Sequence, residues 1–77
     1  MKYDESKKML LSKLEDFDIQ VNAHQGKMMY LAEDYLIEIE KENLYKLSKD
    51  GYIIAPFSDM EELCQFIKMD MQLNEKN

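Results

Sequence analysis

His24 and Cys64 are the only histidine and the only cysteine in the chain. They are the two side chains best suited to nucleophilic chemistry, since an imidazole base can activate a thiol. Their sequence settings argue against it. His24 falls in His24-Gln25-Gly26-Lys27, which reads as a polar turn, and an exposed turn histidine is the ordinary reading there. Cys64 falls on the apolar stripe of a predicted helix, several residues past its start. The helix dipole no longer lowers a thiol pKa at that point, and a free cysteine so placed is usually a small buried hydrophobe. One His and one Cys also cannot compose an ordinary zinc site. Gly26 and Gly51 are the only glycines, so no glycine-rich phosphate cradle exists. No segment has the alternating ligands of a calcium loop. The expectation is a protein with no catalytic centre, no metal and no cofactor.

Carboxylates are the abundant chemistry. Sixteen acids face ten bases, for a formal charge of −6. The pairs Asp16/Asp18, Glu33/Asp34, Glu38/Glu40 and Glu61/Glu62 have the composition of an acid–base pair. Such a pair needs a cleft that raises one pKa by burial, and 77 residues leave little room to build one. The most distinctive run is Glu33, Asp34, Glu38, Glu40 and Glu42, the candidate partner-binding set. On a strand, Glu38 and Glu40 project from one face about 6.8 Å apart. That is comparable to the phosphate spacing of a nucleic-acid strand, so the array can imitate nucleic acid and occupy a basic groove of a partner. The plainer reading is a solvated sheet face interleaved with Lys41 and Lys46, which is what most charge runs are.

All ten bases are Lys. Without the guanidinium fork, and with a negative net charge, direct nucleic-acid binding is not expected. Lys in place of Arg, together with frequent Asn, Ile and Glu, is the habit of AT-rich bacterial and phage genomes, an association and not a physical argument. A lone cysteine leaves the domain to be held by packing alone, which suits a reducing cytoplasm. The opening Met-Lys-Tyr-Asp-Glu lacks the apolar region of a signal peptide. The longest apolar runs, Met28 to Ala32 and Tyr52 to Phe57, are far too short to span a bilayer. A cytoplasmic protein with no membrane partner is expected.

The elements that position these residues follow from periodicity. Asp4 to about Phe17 reads as a helix with Asp4 at its N-cap and Tyr3, Leu10, Leu11, Leu14 and Phe17 on one stripe. From Phe17 the pattern changes to alternation, Phe17, Ile19 and Val21 against Asp18, Gln20 and Asn22, which predicts a strand. A competing reading carries the helix on to Val21. Gln25-Gly26 supplies the centre of a hairpin turn, because glycine accepts positive φ. Strands follow at Met28 to Leu31, Tyr35 to Glu40, Leu44 to Ser48 and Tyr52 to Ala55, with Asp50-Gly51 as a hairpin signature. Pro56 is expected to end the sheet. Ser58-Asp59-Met60-Glu61 reads as a capping box with Ser58 at the N-cap. The last helix carries Met60, Leu63, Cys64, Ile67 and Met71 at core spacing, and residues 74–77 read as a frayed tail.

The expected fold is α+β, one domain over residues 1–77: an N-terminal helix, an antiparallel meander of three to five short strands, and a C-terminal helix, with both helices on one face of the sheet. Leu10, Leu14, Phe17, Ile37, Ile39, Leu63 and Ile67 are the predicted core. Tyr30, Tyr35, Tyr45 and Tyr52 fall one to a strand, and tyrosine is common at interfaces. Phe66, Met69 and Leu73 lie beside the core stripe of the last helix. Packing against the first helix is the plain reading for part of this flank; the alternative, favoured here, is that it stays exposed and pairs two copies about a two-fold axis. The functional expectation is a small acidic, non-enzymatic protein that binds another protein as a regulator or inhibitor, with homodimerisation; the alternative is the nucleic-acid mimic.

Overall fold

The computed structural model describes residues 2–75, with side chains from Glu5 to Leu73. It is an α+β fold in the order α1 (Lys2–Asp16), β1 (Val21–Gln25), β2 (Met28–Leu31), a single 3-10 turn (Ala32–Asp34), β3 (Tyr35–Lys41), β4 (Leu44–Lys49), β5 (Tyr52–Phe57) and α2 (Met60–Glu75). The five strands form one antiparallel meander, each pairing with its sequence neighbours. Among the described residues no helix is long and apolar enough to cross a membrane.

Strand alternation divides the sheet into two unlike faces. Met29, Ile37 and Leu47 stand in one cross-strand row, with Ile39 and Tyr45 in the next. All five are buried, in a single cluster with Leu10 and Leu14 of α1 and Leu63, Cys64, Ile67 and Met71 of α2. The two helices also touch each other. One face therefore carries the whole core, which is what two amphipathic helices on a small sheet require.

The α1 C-terminus differs from expectation for an identifiable reason. The helix stops at Asp16 and the first strand starts at Val21, not Phe17. Between them Asp18 takes φ 58°. Its N–H donates to the Glu15 carbonyl at 2.9 Å, and the Ile19 N–H donates to the Leu14 carbonyl at 2.8 Å. These are the two bonds of a Schellman motif with Asp18 in the left-handed position usually held by glycine. Phe17, Ile19 and Val21 do all pack on the core, so their alternation reports a shared face without a strand. At its other end α1 begins at Lys2, so Asp4 lies within it and is not the cap; the side chains of Tyr3 and Asp4 lie outside the described residues.

Four further boundaries shift. His24 is in β1, opposite Met29, and the turn is centred on Gly26-Lys27 with Gly26 at φ 57°. Pro56 does not end the sheet; it sits inside β5 opposite Lys46. An edge strand tolerates proline because its outward N–H has no ladder partner to lose. The cap of α2 is Asp59 and not Ser58: an Asp59 carboxylate oxygen accepts from the Glu61 N–H at 2.9 Å. That satisfies an orphan donor of the first turn one residue later than the capping-box pattern implied. Asn74 and Glu75 fall within α2, and the side chains of 74–77 lie outside the described residues. Asp50-Gly51 is the expected hairpin turn, with both residues at positive φ as a type I′ turn demands.

Candidate functional site

Among the described residues both helices pack on the face of Met29, Ile37 and Leu47, and neither packs on the second face of the sheet. Across it runs a row of register partners, Ala23 on β1, Tyr30 on β2, Leu36 on β3, Ser48 on β4 and Ile53 on β5. None of the five is charged. Tyr30 is 44% exposed and Ile53 64%, while Leu36 is half-buried and Ser48 buried. Two features extend the apolar surface at the β5 edge. The register slips between Leu47 and Ser48, which leaves Ile54 as the extra residue of a bulge. Ile54 is exposed; Tyr52, also exposed, pairs with Lys49 and so stands on the helix side of the sheet. No charged residue lies between Gly51 and Ser58. Scattered exposed apolar side chains are ordinary; here Tyr30 and Ile53 are exposed on one sheet face with half-buried Leu36 and buried Ser48 between them.

The charges flanking this row are arranged unequally. On one side Lys46 lies 3.1 Å from a Glu38 carboxylate oxygen and 3.7 Å from one of Glu40. The ammonium is held above its ordinary pKa by hydrogen bonding to Glu38 and by that carboxylate's charge, with Glu40 adding to both effects. On the other side Asp34 and Asp50 close a shallow depression of about 560 Å³ shared with Asn22, Tyr30, Leu36 and Gly51. The Asp50 N–H donates to the Asp34 carbonyl at 3.2 Å, which ties the two turns together. Both aspartates adopt positive φ.

The predicted acidic set is thus divided. Glu38 and Glu40 share the bare face and share Lys46. Glu33 and Asp34 belong to the 3-10 turn before β3, and Glu42 to the turn after it. Asp34 and Glu42 are eight residues apart, roughly 25 Å along an extended strand. The flank of α2 is divided too. Phe66 is half-buried with its ring 5.5 Å from that of Phe57, because β5 runs far enough past Pro56 to bring Phe57 onto the core. Met69 and Leu73 are each 63% exposed.

The residues suited to chemistry are not brought together. His24 is exposed on β1. Cys64 is fully buried, and burial pushes its thiol up to about 11, with Lys13 acting weakly the other way. A thiol so raised is not a nucleophile at neutral pH. Among the described residues no group of His, Cys, Asp and Glu is placed to hold a metal, and no buried side-chain polar atom lacks a partner. The tightest polar cluster is internal. The Tyr35 hydroxyl donates to the Asp70 carboxylate of α2. Lys49 reaches the same hydroxyl at 3.5 Å, its ammonium 4.6 Å from the Tyr35 ring centroid. This joins the sheet to α2, and Tyr35 also lines the depression closed by Asp34 and Asp50.

Sequence reasoning missed the row itself. The signal was Tyr35-Leu36-Ile37, where an apolar residue stands in the position that alternation reserves for solvent, and Tyr30 likewise between Met29 and Leu31. No known protein family, curated protein or solved structure was found to match the chain.

Proposed function

We propose that this protein acts without chemistry of its own, by binding another protein across the bare face of its sheet. The observation that carries the reading is the uncharged row Tyr30, Leu36 and Ile53, left uncovered on a domain whose other face already holds both helices. Tyrosine and isoleucine in such a patch supply large contact area at low entropic cost, and flanking charges then set orientation. The nucleic-acid mimic is less well supported, because Lys46 sits between Glu38 and Glu40 and partly cancels the charge a mimic needs. Pairing of two copies through α2 is also less well supported, since Phe66 is engaged with Phe57 and only Met69 and Leu73 of that flank stand clear.

Photo-crosslinking in the native host tests the reading. A photoreactive residue at Ile53 is expected to yield one discrete protein adduct that disappears when Tyr30→Lys is added. The same residue at Met69 is expected to yield none. An adduct formed from Met69 alone contradicts the proposal.

A further inference from the structure

Resting on that reading, we infer that the bare face takes an amphipathic helix from a partner protein, with basic residues along one flank that seat against Asp34 and Asp50. Three observations lead there. The row crosses five strands, and at about 4.8 Å per strand it is about 19 Å long, the length of about 13 residues of helix. Laid along the row, a helix sets its i, i+3, i+4 and i+7 side chains against Tyr30, Leu36 and Ile53, as in helix-in-groove recognition. The two sides of the row are then unlike. On one, Glu38 and Glu40 already hold Lys46. On the other, Asp34 and Asp50 border the same depression as Tyr30 and Leu36, with no lysine in its lining. A Lys or Arg reaching over Tyr30 toward this pair gains carboxylate hydrogen bonds and the face of an aromatic ring.

A second copy of the chain is a poorer occupant. It brings a charge of −6 against −6, and the lysine it offers on this face, Lys46, is held by its own Glu38 and Glu40. It has little with which to neutralise Asp34 and Asp50. Unlike charges across an interface fix register and speed encounter, whereas like charges penalise it.

Two synthetic amphipathic helices of about 14 residues test this, one with Lys and one with Glu along the same flank. Each is titrated into the isotope-labelled protein while amide shifts are followed. The Lys peptide is expected to shift Tyr30, Leu36, Ile53, Asp34 and Asp50, with binding that weakens as salt is raised. Asp34→Asn with Asp50→Asn, which keeps residues tolerant of positive φ at both turns, is expected to weaken the Lys peptide about tenfold or more. Ile53→Lys is expected to abolish binding. If the Glu peptide binds the same row equally well, or the double Asn variant binds unchanged, the basic-partner inference is overturned while the face remains a docking surface. If neither peptide shifts the row, or the shifts map to Met69 and Leu73, both the inference and the reading beneath it are overturned.

Discussion

Tyr30 and Leu36 stand directly opposite each other on β2 and β3, on the side of the sheet away from both helices. Their chain neighbours Met29, Leu31, Tyr35 and Ile37 are all buried on the other side. The two residues are therefore not needed by the core, and substituting them separates binding from folding. Tyr30→Lys is expected to change the unfolding free energy by no more than an ordinary surface substitution does, about 0.5 kcal/mol. Denaturation followed by circular dichroism measures this, and a loss several times larger would mean that the row holds the sheet together.

The core behaves oppositely. Leu14 and Leu63 are fully buried where α1 and α2 meet the sheet. Leu14→Ala or Leu63→Ala is expected to cost about 2–5 kcal/mol, most of what a domain this small possesses. An unchanged unfolding transition in either variant would refute the packing described.

Much of this fold is legible in the sequence, and the exceptions have physical causes. Leu10, Leu14, Ile37, Ile39, Leu63 and Ile67 are buried as their spacing predicts, and Asp50-Gly51 turns the chain as a hairpin signature should. Phe17 is only half-buried, because the helix ends there and the side chain packs on the rim of the core. The end of α1 was hidden because its left-handed residue is Asp18 and not glycine. The bare face was hidden because apolar residues on a strand's outer positions look the same as core residues of a two-sided sheet until the helices are placed. The unequal charge on its two sides depends on β3–β4 register, which sets Lys46 beside Glu38, and on two turns meeting at Asp34 and Asp50.

Asp18 offers a way to raise stability. A non-glycine residue at φ 58° is strained relative to glycine, so Asp18→Gly is expected to stabilise by about 0.5–1 kcal/mol. A higher melting temperature in calorimetry is the expected result. A fall would mean that the Asp18 side chain contributes more to the turn than its backbone costs.

The alkaline limb of stability reports on Cys64. Its folded thiol titrates near 11 against an ordinary value of 9.0, because burial disfavours the thiolate. The unfolded chain gives up this proton first, so the stabilisation is complete below pH 9 and is lost as pH rises from 9 to 11. Tyr45 acts in the same direction at higher pH, its phenol raised first by burial and then by Asp59 and Glu42. Cys64→Ala is expected to flatten the decline between those two pH values. A decline of unchanged steepness in that variant would place its origin elsewhere. The native thiol is also expected to react with a disulfide reagent only at the rate of opening.

The latch between Tyr35 and Asp70 has a measurable strength. Tyr35→Phe removes the hydroxyl that α2 engages, and a hydrogen bond to a charged acceptor contributes about 1.5–3 kcal/mol. A double-mutant cycle with Asp70→Asn is expected to show coupling of that order. Additive effects would indicate that Lys49, which also reaches the hydroxyl, carries the interaction.

The central claim is that the bare sheet face binds a protein partner. Its most direct test is the affinity of the partner recovered through Ile53, once purified, for the Tyr30→Lys, Ile53→Lys double variant. The account predicts a loss of about 100-fold or more, as for substitutions at the centre of an interface, with the urea midpoint preserved and with Leu73→Lys binding as tightly as the unmodified chain. Wild-type affinity in the double variant, with the loss appearing instead in Leu73→Lys, would contradict it.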